Sequence, residues 1–387
     1  IHSADADSFA VLEGHAVGDL ALVCSSGTFT LDSKWYKDMV YPVERRRGLD
    51  YIEDHLSPGY FTARIRPGDE VVFWAGFISK EKDLVFKQFC SNLKAITAKH
   101  REWELNRRND IRKTAGESKI LGELYLAGDQ FIVKNNDDTS IIAGFHWFGE
   151  WGRDTFISLP GLLLCTGRFA QAREVFSRFG NSVSKGLIPN RFAEGEGAAY
   201  NSADASLWFV DALGKYEEIS GDTEFPLTLF QVVHDIVRSY AAGTDFGIFM
   251  DPSGLLVTGS QDTQLTWMDA CAYGHPVTPR AGCPVEINAL WIRALVLYAR
   301  WAERLQARNG HFKNVSTGVT SSLAEKARKR FLTEFVWPGV GLYDRIDALG
   351  PVPEIRPNQL IAASIKEWRL PRHVLTQIWT TAFEKLV

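Results

Sequence analysis

Four carboxylates stand in aromatic, glycine-bearing stretches that lead into apolar segments. Trp147-Phe148-Gly149-Glu150-Trp151-Gly152-Arg153-Asp154-Thr155 precedes an apolar run, so Asp154 falls in the first turn of the predicted helix. There it is either a carboxylate kept ionised by the helix dipole or a simple cap. Asn201-Ser202-Ala203-Asp204 opens a helix continuing through Leu207, Trp208, Phe209, Val210 and Leu213, apolar nearly all round. Asp204 is thus a cap or a carboxylate turned away from bulk water. Asp269 follows Trp267 and Met268, neighbours able to exclude water and raise a carboxyl pKa, as a general acid needs. Its bland alternative is a loop aspartate holding a turn. Glu286 begins a further amphipathic helix, as a dipole partner or a ligand-facing acid.

Other chemistries lack their motifs. There is no phosphate-binding loop of the Gly-x-x-x-x-Gly-Lys type, no His-Glu-x-x-His and no Gly-x-Ser-x-Gly. Glu194 and Glu196 beside Gly195 and Gly197 would repel a phosphate. Neither the 9 His nor the 5 Cys (Cys24, Cys90, Cys165, Cys271, Cys283) have metal-ligand spacing, so neither metal nor cofactor is expected. The scattered thiols fit a reducing compartment, and a cytoplasmic location is the expectation. The net charge of -4 gives no phosphate-tracking surface, and no apolar run reaches the length of a membrane span, so neither nucleic acid nor membrane is an expected partner. Acids with Trp and Arg, and without those motifs, fit glycoside hydrolysis. That reaction needs two carboxyl groups flanking the bond, with rings and charged hydrogen-bonding groups to hold the sugar.

The elements that must position these residues fall into three stretches. Residues 1–80 read as β. Phe61, Ala63 and Ile65 alternate with polar neighbours, Pro67-Gly68-Asp69-Glu70 makes a turn, and Val71 to Phe77 is the next strand. Residues 81–117 are charge-dense and read as helical linker. From 118 to 387 helix follows helix. Phe169, Ala172, Phe176 and Phe179 recur at helical spacing, as do Ile287, Leu290, Trp291, Ala294, Tyr298 and Trp301. Ser322 with Glu325 reads as a capping box before Leu323, Ala327 and Phe331. No alternation of strands and helices supports a parallel sheet. Long loops at 134–153, 183–201, 251–286 and 334–358 are the functional candidates, and 118–387 is otherwise expected to be almost wholly helical.

With these residues in view, the chain resembles the amylo-α-1,6-glucosidase region of glycogen debranching enzymes, in its prokaryotic stand-alone form. The likeness rests on Trp147 to Asp154, Gly186-Leu187-Ile188-Pro189-Asn190-Arg191-Phe192, Tyr200 to Trp208, and Leu265 to Ala270. Pro276 to Arg280, Pro284 to Trp291, Arg356-Pro357-Asn358-Gln359 and, near the start, Tyr41 to Asp54 with Ser57-Pro58-Gly59 complete it. The resemblance implies a mainly α fold, an (α/α)6 barrel that is C-terminally incomplete here, behind a β-sandwich-like domain. It implies inverting removal of α-1,6-linked glucose at branch points of glycogen or branched α-glucans. It further implies Asp269 as general acid with Asp204 as second choice, and a general base beyond Val387. Trp147, Trp151, Arg153, Asp154, Asn190, Arg191, Asn201, Asp204, Trp267 and Glu286 are the implied sugar-binding residues. Other inverting α-glucosidases of the glucoamylase or trehalase kind, and a non-catalytic glucan-binding protein, are the alternatives. Oligomeric state is not addressed by the sequence.

Overall fold

The computed structural model describes residues 8–15, 18–46, 48–78, 83–135, 138–145, 148–193, 197–309, 317–366 and 370–387. Contacts divide the chain into two compact units, Ile1–Ile111 and Arg112–Val387.

The first unit is built on antiparallel pairing. Strands β1 (Phe9–His15), β2 (Gly18–Cys24) and β5 (Phe73–Ile78) form a sheet in the order β1-β2-β5. Strands β3 (Thr28–Val40) and β4 (Ile52–Thr62) form a separate ribbon, with the one-turn helix α1 (Pro42–Arg46) between them. The expected strand through Ile65 stops at Thr62. Residues 63–66 have no ladder partner, and Ile65 stays 69% exposed, so alternation alone did not bury this segment. The turn at Pro67-Gly68 does form, closed by Asp69 N donating to the Arg66 carbonyl and Arg66 N to the Asp69 carboxylate. Helix α2 (Asp83–Thr114) lays Leu93 and Phe89 on Ala21, Val23 and Trp74 of the sheet.

The second unit is a two-layered arrangement of helices. Their order is α3 (Lys119–Asp129), α4 (Gly152–Leu159, continued by a π-helical turn Pro160–Leu164), α5 (Phe169–Gly180), α6 (Ala205–Ser220) and the short α7 (Phe225–Thr228). Then come α8 (Phe230–Ala242), α9 (Val285–Asn309), α10 (Thr317–Glu334), α11 (Asn358–Ser364) and α12 (Arg372–Leu386). Helices α4, α6, α9 and α11 pack successively side by side, while α5, α8, α10 and α12 flank that row. An arc of alternating inner and outer helices is compatible with an α/α barrel. Its core explains the arrangement: α6 is buried from Ala205 to Gly214, because inner neighbours cover two sides and outer helices a third. Phe156 of α4 meets Phe176 and Phe179 of α5 and Phe209 of α6 at ring separations of 5.0–5.5 Å.

Two details differ from expectation. Helix α10 spans Thr317–Glu334, so Ser322 and Glu325 lie inside it rather than at its N-terminus. The loops after residue 118 are not bare connections; they carry short antiparallel pairs. Examples are Ile132–Asn135 with Asp138–Ile141, Arg191–Ala193 with Gly197–Ala199, and Cys271–Ala272 with His275–Pro276. Cys283–Pro284, Arg345–Asp347 and Gly350–Val352 make a three-stranded piece. Hairpins let such loops pair their backbone groups locally without a helix.

Candidate active site

The hairpin-bearing loops meet over the ends of α4, α6 and α11. Trp151 bridges Arg191, Gly152 N donates to the Asn190 carbonyl at 2.9 Å, and Ala203 N donates to the Leu265 carbonyl at 2.8 Å. These bonds tie the first three long loops together. A Cβ on Gly152 would stand 2.1 Å from the Pro189 carbonyl oxygen, so only glycine permits this approach.

Beneath them lies a cavity of about 630 Å³, lined by Ala143, Phe148, Trp151, Arg153, Asp154, Ile157, Trp208, Trp267, Asp269, Pro357 and Ile361. Arg153 is its electrostatic centre. Its Nε reaches both Asp204 oxygens at 2.8 Å, and its Nη1 reaches Asp269 Oδ2 at 2.7 Å. Burial works against the guanidinium's charge, but the two carboxylates outweigh it and its pKa is raised. Asp204 is 1% exposed and accepts a third bond from Ser202 Oγ at 2.6 Å. It does not cap α6; Ser202 Oγ instead accepts from Ala205 N. Asp269 keeps a side-chain exposure of 40% and opens to the cavity.

Asp154 does lie in the first turn of α4. The dipole does not decide its ionisation. Loss of water at the cavity wall pushes its carboxyl above the ordinary carboxylate range, and Arg153 opposes this only in part. The expected apolar cover of Asp269 is half present: Trp267 lines the cavity, whereas Met268 turns its sulfur towards the Asn358 amide at 3.5 Å.

The structure therefore brings Trp151, Arg153, Asp154, Trp267 and Asp269 together around one space, with Asp204 directly behind Arg153. Arg191 supports the wall from outside, its guanidinium 5.6 Å from the centre of the Trp151 ring. Three expected residues are elsewhere. Asn190 is buried and contributes backbone bonds, Asn201 is exposed outside the lining, and Glu286 is 1% exposed in a bidentate pair with Arg280. Glu286 serves the scaffold because α9 begins inside the protein, where an acid needs a cation. Trp147, Glu194 and Glu196 lie outside the described residues. Sequence reasoning missed Trp208, Phe148, Ile157 and Ile361. Trp208 sits on a helix apolar all round, where a cavity-lining ring reads as core.

Residues 126–387 match the family described as Amylo-alpha-1,6-glucosidase. The chain belongs to that family of glycoside hydrolases. Residues 7–72 match the family described as Glycogen debranching enzyme N terminal. A curated relative, "Glycogen debranching enzyme" of Saccharomyces cerevisiae (strain ATCC 204508 / S288c), is 33% identical over 224 aligned residues, covering 42% of this chain and 15% of the yeast protein. The chain thus spans a small part of that relative's length. Two solved structures are similar at lower levels. A rhamnosidase from Klebsiella oxytoca with rhamnose bound has a TM-score of 0.48 at 12% identity, covering 97% of this chain and 72% of that one. A GH78 family rhamnosidase of Bacillus sp. GL1 has a TM-score of 0.49 at 11% identity, covering 95% and 37%. Neither likeness reaches a TM-score of 0.5, and neither identifies a fold or substrate here. Among the described residues no helix is long and apolar enough to cross a membrane, and no cluster of His, Cys, Asp and Glu could hold a metal ion.

Proposed function

We propose that this chain binds and hydrolyses α-1,6-linked glucose at branch points of glycogen or related α-glucans, by inversion, within an (α/α)6 barrel. The β-region, residues 1–80 in the sequence reading, then acts as an accessory β-sandwich-like domain, with 81–117 as the helical link to the glycosidase domain. The observation carrying this reading is the Arg153 clamp at the wall of a cavity lined by Trp151, Trp208 and Trp267. Indole faces suit the apolar faces of a pyranose ring, and a fixed guanidinium with two carboxylates suits its hydroxyls.

In this scheme Asp269 protonates the departing glycosidic oxygen. Of the carboxylates paired with Arg153 it is the one open to the cavity, so it can reach substrate. Asp204 holds three hydrogen bonds at 1% exposure and orients Arg153 instead. Inversion requires a second carboxylate, roughly 6.5–9.5 Å from the acid, to activate water on the opposite sugar face. No residue named above is given that role. One observation favours a second reading of the acid: Asp154 lines the same cavity, and burial raises its carboxyl, as proton donation near neutrality needs.

Kinetics of two variants separates these roles. Asp269→Asn should slow turnover of a branched dextrin by about 10²–10⁴-fold with glucan binding kept, while α-glucosyl fluoride, which needs little protonation, suffers much less. If Asp154→Asn shows that pattern and Asp269→Asn does not, Asp154 is the acid. If the protein neither binds nor cleaves any α-glucan, the functional reading fails.

A further inference from the structure

We propose that Asn358 is a positioning residue for Trp267, fixing the indole that the sugar stacks on, and that Asp344 sets the direction in which Asn358 points. The chemistry of the contacts carries this. Trp267 Nε1 donates to Asn358 Oδ1 at 2.7 Å, across 91 positions of sequence. Asn358 Nδ2 donates to Asp344 Oδ1 at 2.7 Å. An ionised carboxylate only accepts hydrogen bonds, so Asp344 must face the amide NH₂ of Asn358. The amide oxygen is then the end left for the indole N–H. Reversed, the amide would meet a donor with a donor and an acceptor with an acceptor.

Asp344 is itself immobilised. Arg280 Nε donates to its Oδ2 at 2.9 Å and Nη2 to its Oδ1 at 3.1 Å, and Arg280 also makes the bidentate pair with Glu286. Arg356 Nη1 lies 3.4 Å from Asp344 on another side. Arg280, Glu286, Asp344 and Asn358 are each at most 4% exposed, whereas Trp267 is 40% exposed on the cavity wall. A buried hydrogen-bonded chain therefore ends on one half-exposed ring. On the same segment Pro357, next to Asn358, and Ile361, three positions further on, line the cavity too. Rigid support of this kind removes the entropy that a free indole would lose on stacking.

The inference rests on the glucan-binding reading, and its experiment separates the two. Trp267→Phe keeps a ring but lacks the N–H, and its half-exposed position leaves the buried ion pairs intact. It should raise KM for a branched dextrin about 3- to 10-fold with kcat near wild type. Asn358→Ala should do the same, and the double variant's KM should rise by less than the product of the two single effects, because both delete the Trp267–Asn358 bond. The indole ¹⁵N–¹H resonance of Trp267, assigned by its loss in Trp267→Phe, reports the bond without any catalysis. It should exchange faster and shift upfield in Asn358→Ala. Additive KM effects, or a Trp267→Phe enzyme with wild-type KM, would overturn the proposal, even if Asn358→Ala proved too unstable to assay. An unchanged indole resonance in a folded Asn358→Ala protein would overturn it as well. A wild-type protein inert towards glucans instead overturns the functional reading, and the resonance still tests the Asn358 bond.

Discussion

Replacing Arg153 by Met tests whether the guanidinium is the structural hinge of the site or only a ligand contact. The variant keeps much of the side-chain length and removes the charge. Asp204, 1% exposed, then retains only the Ser202 hydroxyl. Stranding a buried carboxylate by deleting its partner costs about 3–5 kcal/mol. The Asp269 pair adds about 1 kcal/mol or less, since its carboxylate is 40% exposed and water takes over the solvation. A second substitution, Asp204→Asn in the Arg153→Met background, replaces the stranded charge by a neutral amide. Its residual cost is that of an underbonded polar group, about 1–3 kcal/mol, so the double variant should recover roughly 2 kcal/mol. Urea unfolding at pH 7, with equal slopes for all variants, measures each step. A cost below about 1 kcal/mol for Arg153→Met, or a double variant no more stable than the single, would refute this account of the clamp.

Asp154→Asn tests the burial effect at the cavity wall. A carboxyl raised in the folded state gives stability that is complete below its unfolded pKa and lost as pH rises through the folded value. The Asn variant should therefore gain on wild type as pH rises through and above the carboxylate range and match it in acid; thermal unfolding at a series of pH values reads this, and a constant difference would contradict it. Gly152→Ala places a Cβ 2.1 Å from the Pro189 oxygen and must push α4 or the 189–191 segment aside. A stability loss of about 1–3 kcal/mol, with turnover falling because Arg153 moves, is expected; wild-type Tm and kcat together would show the approach to be looser than described.

The parts of the site that were legible in the sequence are those whose signal is local. Asp154, in the first turn of α4, and Asp269, in a loop, each stand close to aromatic residues, a pattern that points to a cavity wall from sequence neighbours alone. The clamp was not legible, because Arg153 meets its partners 51 and 116 positions away. Glu286 shows the opposite failure. An acid in the first turn of a helix looks the same whether it faces a ligand or a buried arginine, and only the fold brings Arg280 to it. Helical spacing located α5 and α9 well, since burial on one face is a periodic signal. It said nothing of the hairpins in the loops, whose strands are two to four residues long and too short to show alternation.

The buried charges sort by what each can reach. Asp204 and Asp344 are both sealed: Asp204 orients Arg153 at the cavity wall, and Asp344 orients the buried Asn358 amide that accepts from the Trp267 indole. Asp269 and Asp154 remain open to the cavity. A sealed carboxylate that lost its partner would be costly, so it pins that partner within a narrow geometry. An open one can exchange partners when substrate enters. Two sealed acids aiming a guanidinium and an indole, with two open acids between them, is therefore a division of labour that binding alone would not require: a rigid frame around groups that must change their protonation or their partner during a reaction.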